Sequence, residues 1–214
     1  MITIYSCTTK TIAQQTFRYV SLGDSYTIGT GAEEEESWPV VLTKHLKENN
    51  VNIELIANPS ASGRTTQGVI NYGLPILDES KASFVTLFIG VNDWVIGSDT
   101  ISFKINLISI IEHIQKQLPD KSKLVLITLP DFGVTPSGKN FSHGRDVSKG
   151  ISEFNKIIIS EANKRKLLIA DLFEVSKKMG TNPDWISPDG LHPSAKGYKV
   201  WADSIYSIVY PLLK

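Results

Sequence analysis

Five short, mostly apolar runs recur along the chain, at Phe17 to Leu22, Asn52 to Ala57, Phe84 to Ile89, Leu124 to Leu129 and Leu167 to Asp171. Most are rich in β-branched or aromatic residues, and such a run reads as a strand covered on both faces, the situation found in parallel sheets. Parallel neighbours cannot be joined by a hairpin and need a long crossover. The stretches between the runs supply it, with helical patterns over Pro39 to Asn49, Thr65 to Leu77, Ile101 to Leu118, Val147 to Lys166 and Ser194 to Leu213. Ser37 and Ser194 are N-cap candidates, and Pro119 stands just past the end of the third helix. In that helix Ile101, Ile105, Ile108, Ile111 and Leu118 follow helical spacing, which predicts the face that packs on the sheet.

The alternation predicts an α/β fold: a three-layer α/β/α sandwich, flavodoxin-like and doubly wound, with right-handed crossovers around a central five-stranded parallel sheet. One core accounts for 214 residues better than two small ones, and at 41% hydrophobic the chain has the material for it. The domain is expected to span 17 to 214, after a polar segment, 1 to 16, that is extended or flexible. Ligands of such folds sit beyond the carboxyl ends of the strands, so the residues just after each run are where chemistry is sought.

Charge excludes some partners. With 22 Lys and Arg against 22 Asp and Glu, no global field draws the chain to nucleic acid or anionic lipid. A single cysteine, Cys7, rules out an internal disulfide framework. No apolar run reaches the length of a membrane span, and Met1 to Lys10 lacks the two regions of a signal peptide. As written the chain carries no address and reads as cytoplasmic. The alternative is a periplasmic or lipid-anchored protein tethered at Cys7 of a longer precursor, since Ile4-Tyr5-Ser6-Cys7 loosely matches the end of a lipoprotein signal.

Four polar segments stand where the fold expects a site. Leu22-Gly23-Asp24-Ser25-Tyr26-Thr27 follows the first run, Asn58 to Thr66 the second, and Ile89-Gly90-Val91-Asn92-Asp93 the third, while Asp189-Gly190-Leu191-His192-Pro193 precedes the last helix. In type and order these segments resemble the blocks of the SGNH, or GDSL-type, esterase and lipase family. The span from Ser25 to His192 covers most of the chain. The resemblance implies a serine nucleophile at Ser25, a base at His192 and an orienting carboxylate at Asp189. It also implies an oxyanion hole from the N–H groups of Ser25 and Gly63 and the amide of Asn92. The chemistry explains the residue types: a serine hydroxyl is a weak nucleophile until a histidine, held in one tautomer by a carboxylate, takes its proton. Asp189 and His192 are three positions apart, with Gly190 between them, so one tight turn brings the two together. The second block departs from the family pattern, with Pro59 and Ser60 where some members have a glycine two residues after the asparagine.

The other candidates have plainer explanations. Asp24 and Asp93 flank the catalytic candidates as supporting residues that hold loops through backbone N–H groups. Tyr26, Trp94 and Phe132 are candidates for a substrate pocket, with core packing as the alternative for Trp94 and Phe132. Trp38, Trp185 and Trp201 are read as packing residues. His45, His113 and His143 lack paired ligand spacing, so no metal is expected, and the chemistry requires no cofactor. Glu33 to Glu36 is read as a solvated loop, with repulsion of anionic substrates at the mouth of the site as the alternative. The glycines from Gly23 to Gly31 match neither a Walker loop nor the dinucleotide fingerprint, which leaves nucleotide binding a minor alternative. The polar stretch Pro136 to Ser148 is expected to be a flexible loop near the site.

The chain therefore reads as a serine hydrolase of carboxylic esters, with short acyl or acetyl groups favoured because little chain is left for a lid. An acyltransferase with the same residues and a non-catalytic binding module of the same fold stay open. A small-molecule ester is the expected partner, and a monomer is favoured.

Overall fold

A computed structural model gives the fold of residues 16–214, the residues described below. All five expected strands form: β1 (Phe17–Gly23), β2 (Ile53–Ala57), β3 (Phe84–Phe88), β4 (Leu124–Ile127) and β5 (Leu168–Ala170). They make one parallel sheet in the order β2-β1-β3-β4-β5. In the central pair Tyr19 is level with Phe84 and Gly23 with Phe88. The last residues of the fourth and fifth runs, Leu129 and Asp171, lie beyond the ladder. There the Thr128 hydroxyl donates to Asp171 at 2.7 Å and accepts from Leu172 N–H at 2.8 Å.

The helices are α1 (Ser25–Ile28), α2 (Trp38–Glu48), α3 (Thr66–Gly68), α4 (Leu74–Ser80), α5 (Val91–Val95), α6 (Thr100–Gln117), α7 (Val147–Arg165), α8 (Phe173–Lys177) and α9 (Ala195–Leu213). α2 and α9 pack together on one face of the sheet, and α4, α6 and α7 lie in a row on the other, as right-handed crossovers running both ways from β1 require. On the first face the core holds Trp38, Phe88 and Trp201, all fully buried. On the other, Phe103 stacks on Phe154 with ring centroids 4.4 Å apart. Truncating Phe103 to alanine would cost about 4 kcal/mol.

Three local expectations are corrected. Ile101 and Ile105 do not face the sheet but are 70% and 62% exposed. The buried row of α6 is Phe103, Leu107, Ile110, Ile111 and Ile114. Two apolar rows share this helix. The Asp99 carboxylate caps the N–H groups of Ile101 and Ser102 at 2.8 Å each, and the row that packs inward is the one whose Phe103 stacks on Phe154 of α7.

The helix expected over Thr65 to Leu77 is broken. Between α3 and α4 lies a π-helical turn, Val69–Gly73, closed by a bond from Leu74 N–H to the Val69 carbonyl. Pro75 has no N–H to donate one turn back, which removes a bond that an uninterrupted α-helix would make here. Ser37 does occupy the cap position of α2, but its hydroxyl donates to the Glu34 carbonyl at 2.7 Å instead of accepting from the helix. Ser194 caps α9 as expected, accepting from Gly197 N–H. Among the described residues no helix is long and apolar enough to cross a membrane. Cys7 lies outside the described residues.

Candidate active site

The chain leaves β1 toward β2 on one side and leaves β3 toward β4 on the other, so a crevice opens between the carboxyl ends of these two central strands. Ser25 stands two residues past the end of β1 and Asn92 four past the end of β3. Gly90, at φ +137°, makes the turn from β3 into α5. A Cβ there would lie 2.7 Å from the Phe103 ring, so the turn depends on glycine.

Ser25, Asp189 and His192 meet in a continuous hydrogen-bonded chain. His192 Nε2 lies 3.0 Å from Ser25 Oγ, and His192 Nδ1 lies 2.6 Å from Asp189 Oδ2. The other carboxylate oxygen, Oδ1, accepts three further bonds: from the Ser187 hydroxyl at 2.7 Å, Leu191 N–H at 2.8 Å and His192 N–H at 2.9 Å. Partial burial pushes the Asp189 carboxyl up, but these donors and the imidazole outweigh it and hold the carboxyl at about 2. Asp189 therefore stays ionised through the neutral and mildly acid range. Ser187, which meets the Asp189 carboxylate, is a residue that sequence reasoning missed. Its signal was a hydroxyl two residues before a loop aspartate, a common turn pattern.

Asn92 Nδ2 donates to the Arg64 carbonyl at 3.0 Å, and a longer contact of 3.5 Å runs to Asp24 Oδ2. Gly63 has φ +76° with open space where a side chain would be, and its N–H has no internal partner among the described residues. Ser25 opens α1, where an N–H has no partner within the helix. Asp24 caps this short helix, accepting from Tyr26 N–H at 3.0 Å. It is fully buried, and burial, reinforced by the charge of Asp93, pushes its carboxyl up to about 7. Asp93 accepts from the Thr66 N–H at 2.8 Å and the Thr66 hydroxyl at 2.5 Å. Burial raises its carboxyl as well, against the pull of Thr66.

Over these groups lies a cavity of about 210 Å³ whose lining includes Ser25, Ser62, Gly63, Asn92 and His192. Its apolar wall is Tyr26, Val91, Val95, Phe132, Phe141 and Leu191. Tyr26 and Phe132 thus face the cavity. Trp94 does not: it stands behind the wall, its ring edge-on to Phe132 at 5.7 Å, and is a packing residue. The Tyr26 ring also lies 5.0 Å from the His192 ring and 5.6 Å from Trp201, so the imidazole rests on the aromatic core.

The segment between Pro136 and Ser148 is fastened rather than loose. Ser137 donates its hydroxyl to the Asp189 carbonyl at 2.9 Å and its N–H to the Gly190 carbonyl at 2.8 Å. At the other end Arg145 donates to the carbonyls of Trp94 and Val95 at 2.8 and 2.9 Å and lies 4.0 Å over the Trp94 ring. Between these attachments Phe141 reaches the cavity.

The remaining candidates lie elsewhere. Glu34 to Glu36 form an exposed 3-10 turn, closed by Glu33 N–H to Glu36 at 3.1 Å, outside the cavity. His45 pairs with Asp203 at 3.2 Å and His113 with Asp78 at 2.6 Å. Among the described residues no three His, Cys, Asp or Glu side chains are grouped as a metal site.

Sheet order and site position define the class, a doubly wound α/β sandwich with its site at the carboxyl ends of the central strands. The chain belongs to the GDSL-like lipase/acylhydrolase family, which it matches over residues 21–200, and it is a carboxylic ester hydrolase. It is 26% identical over 181 residues to an arylesterase of Vibrio mimicus, covering 85% of this chain and 82% of that one. The fold resembles a family 3 carbohydrate esterase of Clostridium thermocellum, with a TM-score of 0.74 at 23% identity over 93% of this chain and 98% of that one. It also resembles a psychrotrophic esterase of Pseudoalteromonas sp. whose structure was solved inhibited by monoethylphosphonate, with a TM-score of 0.71 at 21% identity over 92% and 98% of the two chains.

Proposed function

We propose that this esterase cleaves short acyl esters through an acyl-enzyme formed on Ser25. The observation that carries the proposal is the unbroken chain from Ser25 Oγ through the His192 ring to Asp189, at 3.0 and 2.6 Å, opening on a small apolar cavity. Ser25 Oγ attacks the ester carbonyl carbon while its proton passes to His192 Nε2. The tetrahedral intermediate collapses, the ester C–O bond breaks, and His192 returns the proton to the departing alcohol. Water then repeats the attack on the acyl group and frees the acid. Asp189 remains ionised throughout, holding Nδ1 protonated so that Nε2 is the basic nitrogen.

The oxyanion is met by the N–H groups of Ser25 and Gly63 and by Asn92. One Asn92 amide hydrogen is engaged by the Arg64 carbonyl at 3.0 Å. The other, only loosely approached by Asp24 at 3.5 Å, serves the oxyanion. Each such donor lowers the barrier by about 3 kcal/mol. The cavity's volume of about 210 Å³ and its apolar wall favour short acyl chains.

Ser25→Ala tests this reading. Hydrolysis of p-nitrophenyl acetate should fall by roughly 10⁴-fold or more. An alkylphosphonate probe should label the wild-type protein at Ser25 and leave the variant unlabelled. Undiminished labelling of the variant would remove Ser25 as the nucleophile.

A further inference from the structure

A second cleft, of about 250 Å³, shares Ser62 and Gly63 with the catalytic cavity and runs away from it along Arg64, Thr65, Gly68 and Tyr72. The two cavities therefore diverge from the point where an ester carbonyl would meet the Gly63 N–H. One is apolar and walled; the other is shallow and carries a guanidinium and an exposed ring. We propose that this second cleft is the leaving-group subsite and that it recognises an alcohol bearing a ring and a carboxylate. The proposal rests on the esterase reading above.

Three features support it. The Arg64 guanidinium has no carboxylate partner among the described residues and donates only one of its several N–H groups, to the Gly68 carbonyl at 3.2 Å. It is held 5.3 Å over the Tyr72 ring, and Tyr72 is 64% exposed. A guanidinium with spare donors matches the geometry of a carboxylate, and an exposed aromatic face gives a flat ring something to stack on.

The backbone is shaped around this pair. A Cβ at Gly68 would lie 2.9 Å from the Arg64 Cγ, so the glycine makes room for the arginine stem. Tyr72 sits within the π-helical turn Val69–Gly73, the irregularity that breaks the expected helix. Such turns are frequent at functional sites. Gly68 and the π turn have no part in the chemistry at Ser25, yet both help set how Arg64 and Tyr72 meet.

The test compares 4-acetoxybenzoate with its neutral methyl ester in the full-length enzyme. The ratio of kcat/KM for the anionic ester to that for the neutral one should fall roughly fivefold in Arg64→Gln and recover in part in Arg64→Lys. Because the Arg64 carbonyl also holds Asn92, the ratio is the readout: any disturbance of the oxyanion donors affects both esters and cancels. In parallel, binding of 4-hydroxybenzoate is followed by NMR titration, which needs no turnover, and its Kd should rise by a similar factor in Arg64→Gln. A ratio and a Kd unchanged by Arg64→Gln overturn the subsite. Arg64-dependent binding of 4-hydroxybenzoate in a wild-type protein that cleaves neither ester keeps the carboxylate site and overturns the short-acyl reading of the catalytic cavity instead.

Discussion

The Thr66 hydroxyl and N–H both close on the Asp93 carboxylate, at 2.5 and 2.8 Å, and so join the segment that carries Gly63 to the helix that carries Asn92. Asn106 completes the junction by donating to the Thr66 hydroxyl at 3.1 Å. Two proposed oxyanion donors from different parts of the sequence are thereby held in one frame.

Breaking that frame should damage turnover more than binding. Asp93→Ala leaves the buried Thr66 groups without their acceptor, which costs roughly 3 kcal/mol of stability. kcat for p-nitrophenyl acetate is expected to fall at least tenfold with little change in KM, because the donors act chiefly in the transition state. Steady-state kinetics beside urea denaturation would separate the two effects, and a variant with wild-type kcat would show that the frame does not govern the donors.

The bond from Ser187 to Asp189 sets an acid limit. The Asp189 carboxyl is depressed in the folded protein, so its contribution to stability is fully present above about pH 4 and is lost as pH falls toward 2. Ser187→Ala removes one donor, raises the carboxyl, and should move the acid-unfolding midpoint upward by about half a pH unit. A far-UV circular dichroism titration of both proteins checks this; an unmoved midpoint would argue that the hydroxyl adds nothing.

Asp24 gives the opposite sign. Its carboxyl is raised to about 7 in the fold, whereas the unfolded chain loses that proton near pH 4, so stability falls as pH rises between these values and is level above them. Asp24→Asn keeps the cap on Tyr26 N–H and has no charge to bury. Relative to wild type it should gain up to roughly 4 kcal/mol between pH 4 and 7. Denaturant unfolding across that range is the measurement, and a difference that does not grow with pH would place the titration elsewhere.

Phe141 and Arg145 should set the acyl range. Phe141→Ala opens the wall of the cavity and should raise the octanoyl-to-acetyl ratio of kcat/KM by about tenfold. Arg145→Met, which cuts both bonds to the Trp94 and Val95 carbonyls, is expected to shift the ratio in the same direction by releasing the segment that carries Phe141. A p-nitrophenyl ester series from acetyl to octanoyl reads both variants; unchanged selectivity in Phe141→Ala would remove that residue from the wall.

Much of the molecule was legible from the chain alone. The five mostly apolar runs pointed to strands of a parallel sheet covered by helices, and the helices between them followed from the long amphipathic stretches. Ser25, Asp189 and His192 were legible too, through the resemblance of their segments to the blocks of the family, and triad chemistry explains why those residue types stand there. Local order could not choose between the two apolar rows of α6, nor reveal that the helix after Arg64 opens into a π turn at Val69–Gly73. It could not separate Phe132, which faces the cavity, from Trp94 behind it, or find Phe141 and Ser187. Those outcomes are decided by contacts between residues far apart in the chain. Periodicity and residue chemistry specify what each segment can become, whereas the face it turns inward and the partner it meets depend on how whole layers pack against each other.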